Sequence, residues 1–107
     1  MEIYVLTLDM YYEWSIENGA SDILGVFDCK EKATRELLKY IHAEIKDGRC
    51  FDDKIEDIKE DIDVYNNNDE NSIYFNVYEN SYDYDSGKNM GTFKIEKRIL
   101  NNSGIIL

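Results

Sequence analysis

Carboxylates are the chemically competent side chains this chain supplies in quantity. Between Asp52 and Asp85 stand 12 acids against only Lys54 and Lys59, so this third of the chain carries −10. The remainder, with 11 acids and 10 bases, carries −1. Asp53, Glu56, Asp57, Glu60 and Asp61 recur at intervals of three and four, which on a helix sets Cβ atoms about 5–6 Å apart. That is the scale of charge spacing along a nucleic-acid backbone, so such a face suits a row of surrogate phosphates presented to a basic groove. Asp69 and Glu70 extend the acidic run beyond the helix, and Asp83 and Asp85 resume it near the next turn. Tyr74, Tyr78, Tyr82 and Tyr84 share one parity, while Glu79, Asp83 and Asp85 take the other. Tyrosine beside carboxylate makes a protein-binding surface, because the ring supplies area and the hydroxyl a polar handle. The structural alternative for each feature is a solvated helix face and a half-exposed sheet face of high strand propensity.

Other chemistries find less support. Asp83-Tyr84-Asp85-Ser86-Gly87 has the oxygen ligands of a calcium loop, but its glycine falls at position 5 and Lys94 stands where the terminal Glu belongs. A hairpin turn accounts for it better, and Asn66 to Glu70 is an oxygen-rich loop without calcium spacing. His42 is the one imidazole, set beside the apolar Ile41 on a predicted helix. No Gly-x-Ser-x-Gly or phosphate loop occurs. Cys29 lies near a helix N-terminus, where a thiol pKa can fall, but it has no partner motif. Two cysteines and one histidine without Cys-x-x-Cys leave no zinc spacing. The expectation is a protein without enzymatic activity, metal or cofactor.

The 107 residues suit one domain, 1–107, and 43% apolar with 13% aromatic content argues for a folded core. No apolar run approaches the roughly 18 residues of a membrane span. Glu2 and the lack of a basic leader ahead of an apolar stretch argue against a secretory signal, so the expected location is the cytoplasm. There Cys29 and Cys50 are expected as free thiols. A net charge of −11 disfavours direct contact with nucleic acid or an anionic membrane and favours a basic protein partner. The oligomeric state has no signature.

These side chains are positioned by an α+β pattern in ββααββ order. Alternation predicts an N-terminal hairpin over 2–27, with strands at 2–14 and 22–27 about an Asn18-Gly19 turn. Tyr11, Tyr12 and Trp14 would extend the tyrosine surface if the first strand neighbours the later hairpin. A helix over 29–46 follows, capped by Asp28 with Glu31 three residues on. Its stripe is Ala33, Leu37, Leu38, Ile41 and Ile45, and Gly48 serves as left-handed stop. Lys32, Arg35 and Lys39 share its outer side, making the molecule dipolar. A second helix over 53–62, capped by Asp52 or Asp53, carries Ile55, Ile58 and Ile62 opposite its acids. Residues 65–72 read as a polar loop. A C-terminal hairpin spans 72–100, and the tail 101–107 ends in Ile105, Ile106 and Leu107. The simplest packing is an antiparallel sheet of about four strands with both helices on one face.

The size, acidity, Tyr/Asn richness and acid-dense helix-plus-hairpin resemble small phage and mobile-element inhibitors, the anti-CRISPR proteins in particular. Several of those occupy the basic nucleic-acid or PAM-reading channel of a CRISPR nuclease with carboxylates in place of phosphates. The resemblance implies a partner surface of Asp53, Glu56, Asp57, Glu60, Asp61, Asp69 and Glu70, with Asp83 and Asp85. It also implies a basic nucleic-acid-binding protein or nuclease as partner, in the host bacterial cell. Two rivals remain: a housekeeping domain whose acidity only solubilises it, and a small-ligand or calcium-binding protein using the polar loops.

Overall fold

A computed structural model describes residues 1–10, 21–87 and 89–100. Tyr11, Tyr12, Trp14, the 17–20 turn and the 101–107 tail lie outside the described residues. Among the described residues the chain forms β1 (Glu2–Met10), β2 (Ser21–Phe27), α1 (Lys30–Lys46), β3 (Cys50–Phe51), α2 (Ile55–Asn67), β4 (Ser72–Tyr78), α3 (Ser81–Asp85) and β5 (Gly91–Ile99). The strands make one antiparallel sheet in the order β2-β1-β5-β4-β3. The α+β class and both hairpin pairings agree with the sequence. The element order does not, because β3 separates the two long helices and α3 interrupts the second hairpin.

Each departure has a local cause. β3 is two residues long, too short for alternation to register, yet Phe51 is buried and its ring lies 6.3 Å from that of Phe93. Where the tyrosine parity suggests more strand, the Asn80 side chain accepts from the Asp83 N–H at 3.0 Å and caps α3 instead. An Asn that bonds its own backbone competes with the sheet ladder. α1 takes Cys29, not Asp28, as N-cap, and Asp28 turns to Lys32 at 3.0 Å. Its far end matches expectation: Gly48 has φ +93, and the N–H groups of Gly48 and Arg49 donate to the carbonyls of Ile45 and Glu44. That is the Schellman closure.

α2 begins after Lys54 rather than after Asp52 or Asp53, and it runs to Asn67 instead of ending at residue 62. Tyr65 continues the stripe of Ile58 and Ile62 and is completely buried. The Asn67 and Asn68 side-chain amides donate to the carbonyls of Asp63 and Val64 at 2.7 and 2.8 Å. Both side chains fold back one turn onto their own helix. Asn66 bonds Thr34 across to α1 at 3.2 Å.

One face of the sheet meets both long helices. Tyr4 and Leu6 of β1, Phe75 and Val77 of β4, and Phe93 and Ile95 of β5 form the core with Leu37, Ile41, Ile58, Ile62 and Tyr65. The opposite parity gives a face that neither α1 nor α2 covers. There Val5 and Thr7 oppose Glu96 and Lys94, and Tyr74 and Asn76 oppose Lys94 and Thr92. Ile45, expected in the α1 stripe, is exposed. Gly91 of β5 faces Met10, and a Cβ there would stand 2.6 Å from the Asp9 carbonyl oxygen.

Candidate protein-interaction surface

Burial of Ile58, Ile62 and Tyr65 dictates which side of α2 faces water. Glu56, Asp57, Glu60, Asp61 and Asp63 are all exposed. At 1.5 Å per residue the helix is about 20 Å long, so these acids form a ridge of roughly that length. Glu56, Asp57, Glu60 and Asp61 have no ion pair or side-chain hydrogen bond among the described residues. Several acids elsewhere are engaged: Asp28 with Lys32, Glu36 with Lys39, Glu44 with Arg49, and Glu96 with Lys94 and Arg98. Asp53 is exposed just ahead of the helix. Carboxylates left without cations keep their full field toward solvent, where a cationic partner meets it.

A second acidic group forms where β3, β4 and α3 meet. Asp52 accepts from the Tyr78 hydroxyl at 2.8 Å and from the Asn76 amide at 3.3 Å. Thr92 donates to Asn76 at 2.8 Å, which links β5, β4 and the end of β3 through polar side chains. Burial pushes the Tyr78 hydroxyl up to about 12, reinforced by the hydrogen bond and charge of Asp52. The Cys50 thiol is also pushed up, first by burial and then by the charges of Asp83, Asp52 and Asp85. Those three carboxylates therefore converge on one corner of the sheet. The Tyr84 ring meets Tyr78 edge-on, with centroids 5.3 Å apart.

The structure divides the sequence-derived site. Asp53 and the α2 acids form one ridge, with the Asp83 and Asp85 corner beyond the β3 end of that helix. Asp69 and Glu70 are exposed past the other end of α2, before β4. Tyr74, 63% exposed, stands on the helix-free face and not beside the ridge. Tyr78 is only 8% exposed, so it supports the corner by holding Asp52 rather than offering its ring to a partner. Tyr82, 74% exposed on α3, and Tyr84 are the aromatic rings the acidic corner presents. Asp52, Asn76 and Asp63 join the surface without having been singled out. The signal for Asp52 was its place next to Asp53, whereas nothing in the spacing marks Asn76.

Other chemistry has little to build on. His42 is exposed on α1, and Cys29 and Cys50 are free thiols. Gly87, at φ +78, closes the turn after α3. Among the described residues no group of three or more His, Cys, Asp or Glu side chains is arranged to hold a metal ion. No helix among them is long and apolar enough to cross a membrane. Comparison of the chain with family models, curated proteins and solved structures returns no match.

Proposed function

We propose that this chain is a non-enzymatic acidic interaction module of the bacterial cytoplasm that blocks a basic nucleic-acid-binding protein, such as a CRISPR nuclease, by standing in for the nucleic-acid backbone. The observation that carries the reading is the α2 ridge: Glu56, Asp57, Glu60 and Asp61 are exposed, a helical turn apart, and without a cation among the described residues. Its mechanism is competition. The ridge carboxylates pair with Arg and Lys of the partner's channel, and Asp83, Asp85, Tyr82 and Tyr84 extend the contact at one end. Asp69 and Glu70 do so at the other. Charge-assisted pairs of this kind speed encounter and weaken as salt screens them.

The test is retention of guide-loaded CRISPR effectors and other basic proteins from nuclease-treated bacterial lysate, eluted along a salt gradient. A variant with Asp53, Asp57 and Asp61 changed to Asn and Glu56 and Glu60 to Gln runs beside the native chain. A basic protein held by the native chain, released by salt and lost by the variant supports the reading. Equal retention by both chains, or retention that ignores salt, overturns it.

A further inference from the structure

Among the described residues, the longest unpaired edge of the sheet belongs to β2. It is terminal in the strand order and pairs there with β1 alone, so backbone N–H and C=O groups along a seven-residue strand face away from the described sheet. Such an edge is a template for a further strand. Asp22 is its one charged side chain, and the rest of the strand is apolar or small. The register slips by one residue at Leu24, so that Leu6 opposes Gly25 while Thr7 opposes Ile23. The slip turns Leu24 against the core and places Ile23 and Val26 together on the helix-free face, where they are 68% and 51% exposed. Met1, Ile3, Val26 and Leu100 line a groove alongside, whose charged members Asp28 and Lys32 neutralise each other.

The distribution of charge says what covers this edge. The stretch that carries −10 folds into β3, α2, β4 and α3, at the other end of the strand order from β2. A basic partner is drawn to that end and finds only Asp22 along β2. A second copy of this chain meets the opposite constraint: contact through β3 or α2 would set two acidic arrays against each other. Contact through β2 keeps them at the far ends of the assembly. Such an edge strand is also its own complement under two-fold rotation, because antiparallel pairing is symmetric.

We infer that β2 pairs antiparallel with β2 of a second copy, giving a homodimer with a continuous ten-stranded sheet and one acidic ridge at each end. Ile23 and Val26 of each copy pack across the two-fold on the helix-free face. The slip at Leu24 bends the strand and limits the ladder to short runs on either side. The dimer is therefore concentration-dependent. Its response to salt is opposite to that of the ridge: screening relieves repulsion between two chains of −11 and strengthens dimerisation. Failure of the dimer and failure of the proposed function are thus read in different directions of the same variable.

Sedimentation velocity and light scattering over a range of concentrations, at low and high salt, test this on the full chain. The expected result is a mass that rises from monomer to dimer with concentration, at lower concentration in high salt. Ile23→Lys and Val26→Lys, both at exposed positions, are expected to weaken dimerisation by roughly tenfold or more while far-UV circular dichroism and thermal midpoint stay near native. Hydrogen exchange at low and high protein concentration gives an independent reading, with protection gained in the β2 amides. A monomer under all conditions, a dimer indifferent to both lysines, or protection gained in α2 instead of β2 overturns the inference.

Discussion

The Lys30 ammonium stands 4.3 Å from the centroid of the Tyr65 ring and donates to the Tyr65 carbonyl at 3.2 Å. It also donates to the Asn68 carbonyl at 2.7 Å. One cation at the start of α1 thereby closes the C-terminal end of α2, where the helix dipole is negative and carbonyls lack partners. Lys30→Met keeps the apolar stem and removes the charge and donors. The expected loss is about 1–2 kcal/mol by urea denaturation, from the dipole and cation–π contributions together. A loss confined to a few tenths would show that Asn67 and Asn68 close the helix alone.

Tyr65 has a buried hydroxyl with no hydrogen-bond partner among the described residues. Tyr65→Phe removes that unsatisfied group and keeps the ring beneath Lys30. Stability is expected to stay level or rise by about 1 kcal/mol, since an unpaired buried donor costs roughly 1–3 kcal/mol. Thermal and urea unfolding of the variant against the native chain measure it, and marked destabilisation would mean the hydroxyl has a partner.

Burial pushes the hydroxyls of Tyr65 and Tyr78 up to about 12, with Asp52 adding to the effect at Tyr78. The unfolded chain ionises these groups near their ordinary value of about 10. Their stabilisation is therefore fully present below pH 10 and is lost as pH rises through 12. Alkaline unfolding in that window, followed together with tyrosinate absorbance, is the expected behaviour. Asp52→Asn removes the charge beside Tyr78 and is expected to bring the ionisation of Tyr78 alone to lower pH. Equal movement of both tyrosines would contradict the assignment.

Two glycines are fixed for different reasons. A Cβ at Gly91 would press on the Asp9 carbonyl oxygen at 2.6 Å, so Gly91→Ala has to part β5 from β1. About 1–3 kcal/mol of destabilisation is expected, as for other overpacked sites. Gly48 has open space around it but φ +93, and Gly48→Ala is expected to cost about 1–2 kcal/mol through backbone strain alone. Gly48→Asn, which tolerates that conformation, should recover part of the loss, whereas Gly91→Asn should recover none.

On the ridge, stability and binding are expected to move in opposite directions. Asp61 lies one turn beyond Asp57, and such like-charge pairs cost about 0.2–0.5 kcal/mol each. Asp61→Asn is expected to raise stability by that amount at low salt and to weaken binding to a basic partner. If both fell together, the ridge would be serving the fold rather than a partner.

The sequence by itself determined what depends on near neighbours in the chain. Alternation placed β1, β2, β4 and β5, the three-and-four spacing of Ala33, Leu37 and Ile41 placed α1, and Gly48 ended it, because each signal is carried within a few residues. The concentration of charge between Asp52 and Asp85 is likewise a property of composition. Contacts between distant segments decided the rest. α2 extends through Asn67 because Tyr65 finds a cavity between α1 and the sheet and Lys30 arrives from 35 residues earlier to close it. β3 exists because Phe51 packs on Phe93, not because two residues carry a pattern. Parity alone put Tyr74, Tyr78, Tyr82 and Tyr84 on one surface. The Asn80 cap carried Tyr82 and Tyr84 onto α3, and Tyr78, on the same sheet face as the exposed Tyr74, is buried against Tyr84 and bonded to Asp52. Periodicity tells which residues share a side of an element, and only the packing of elements tells what that side meets.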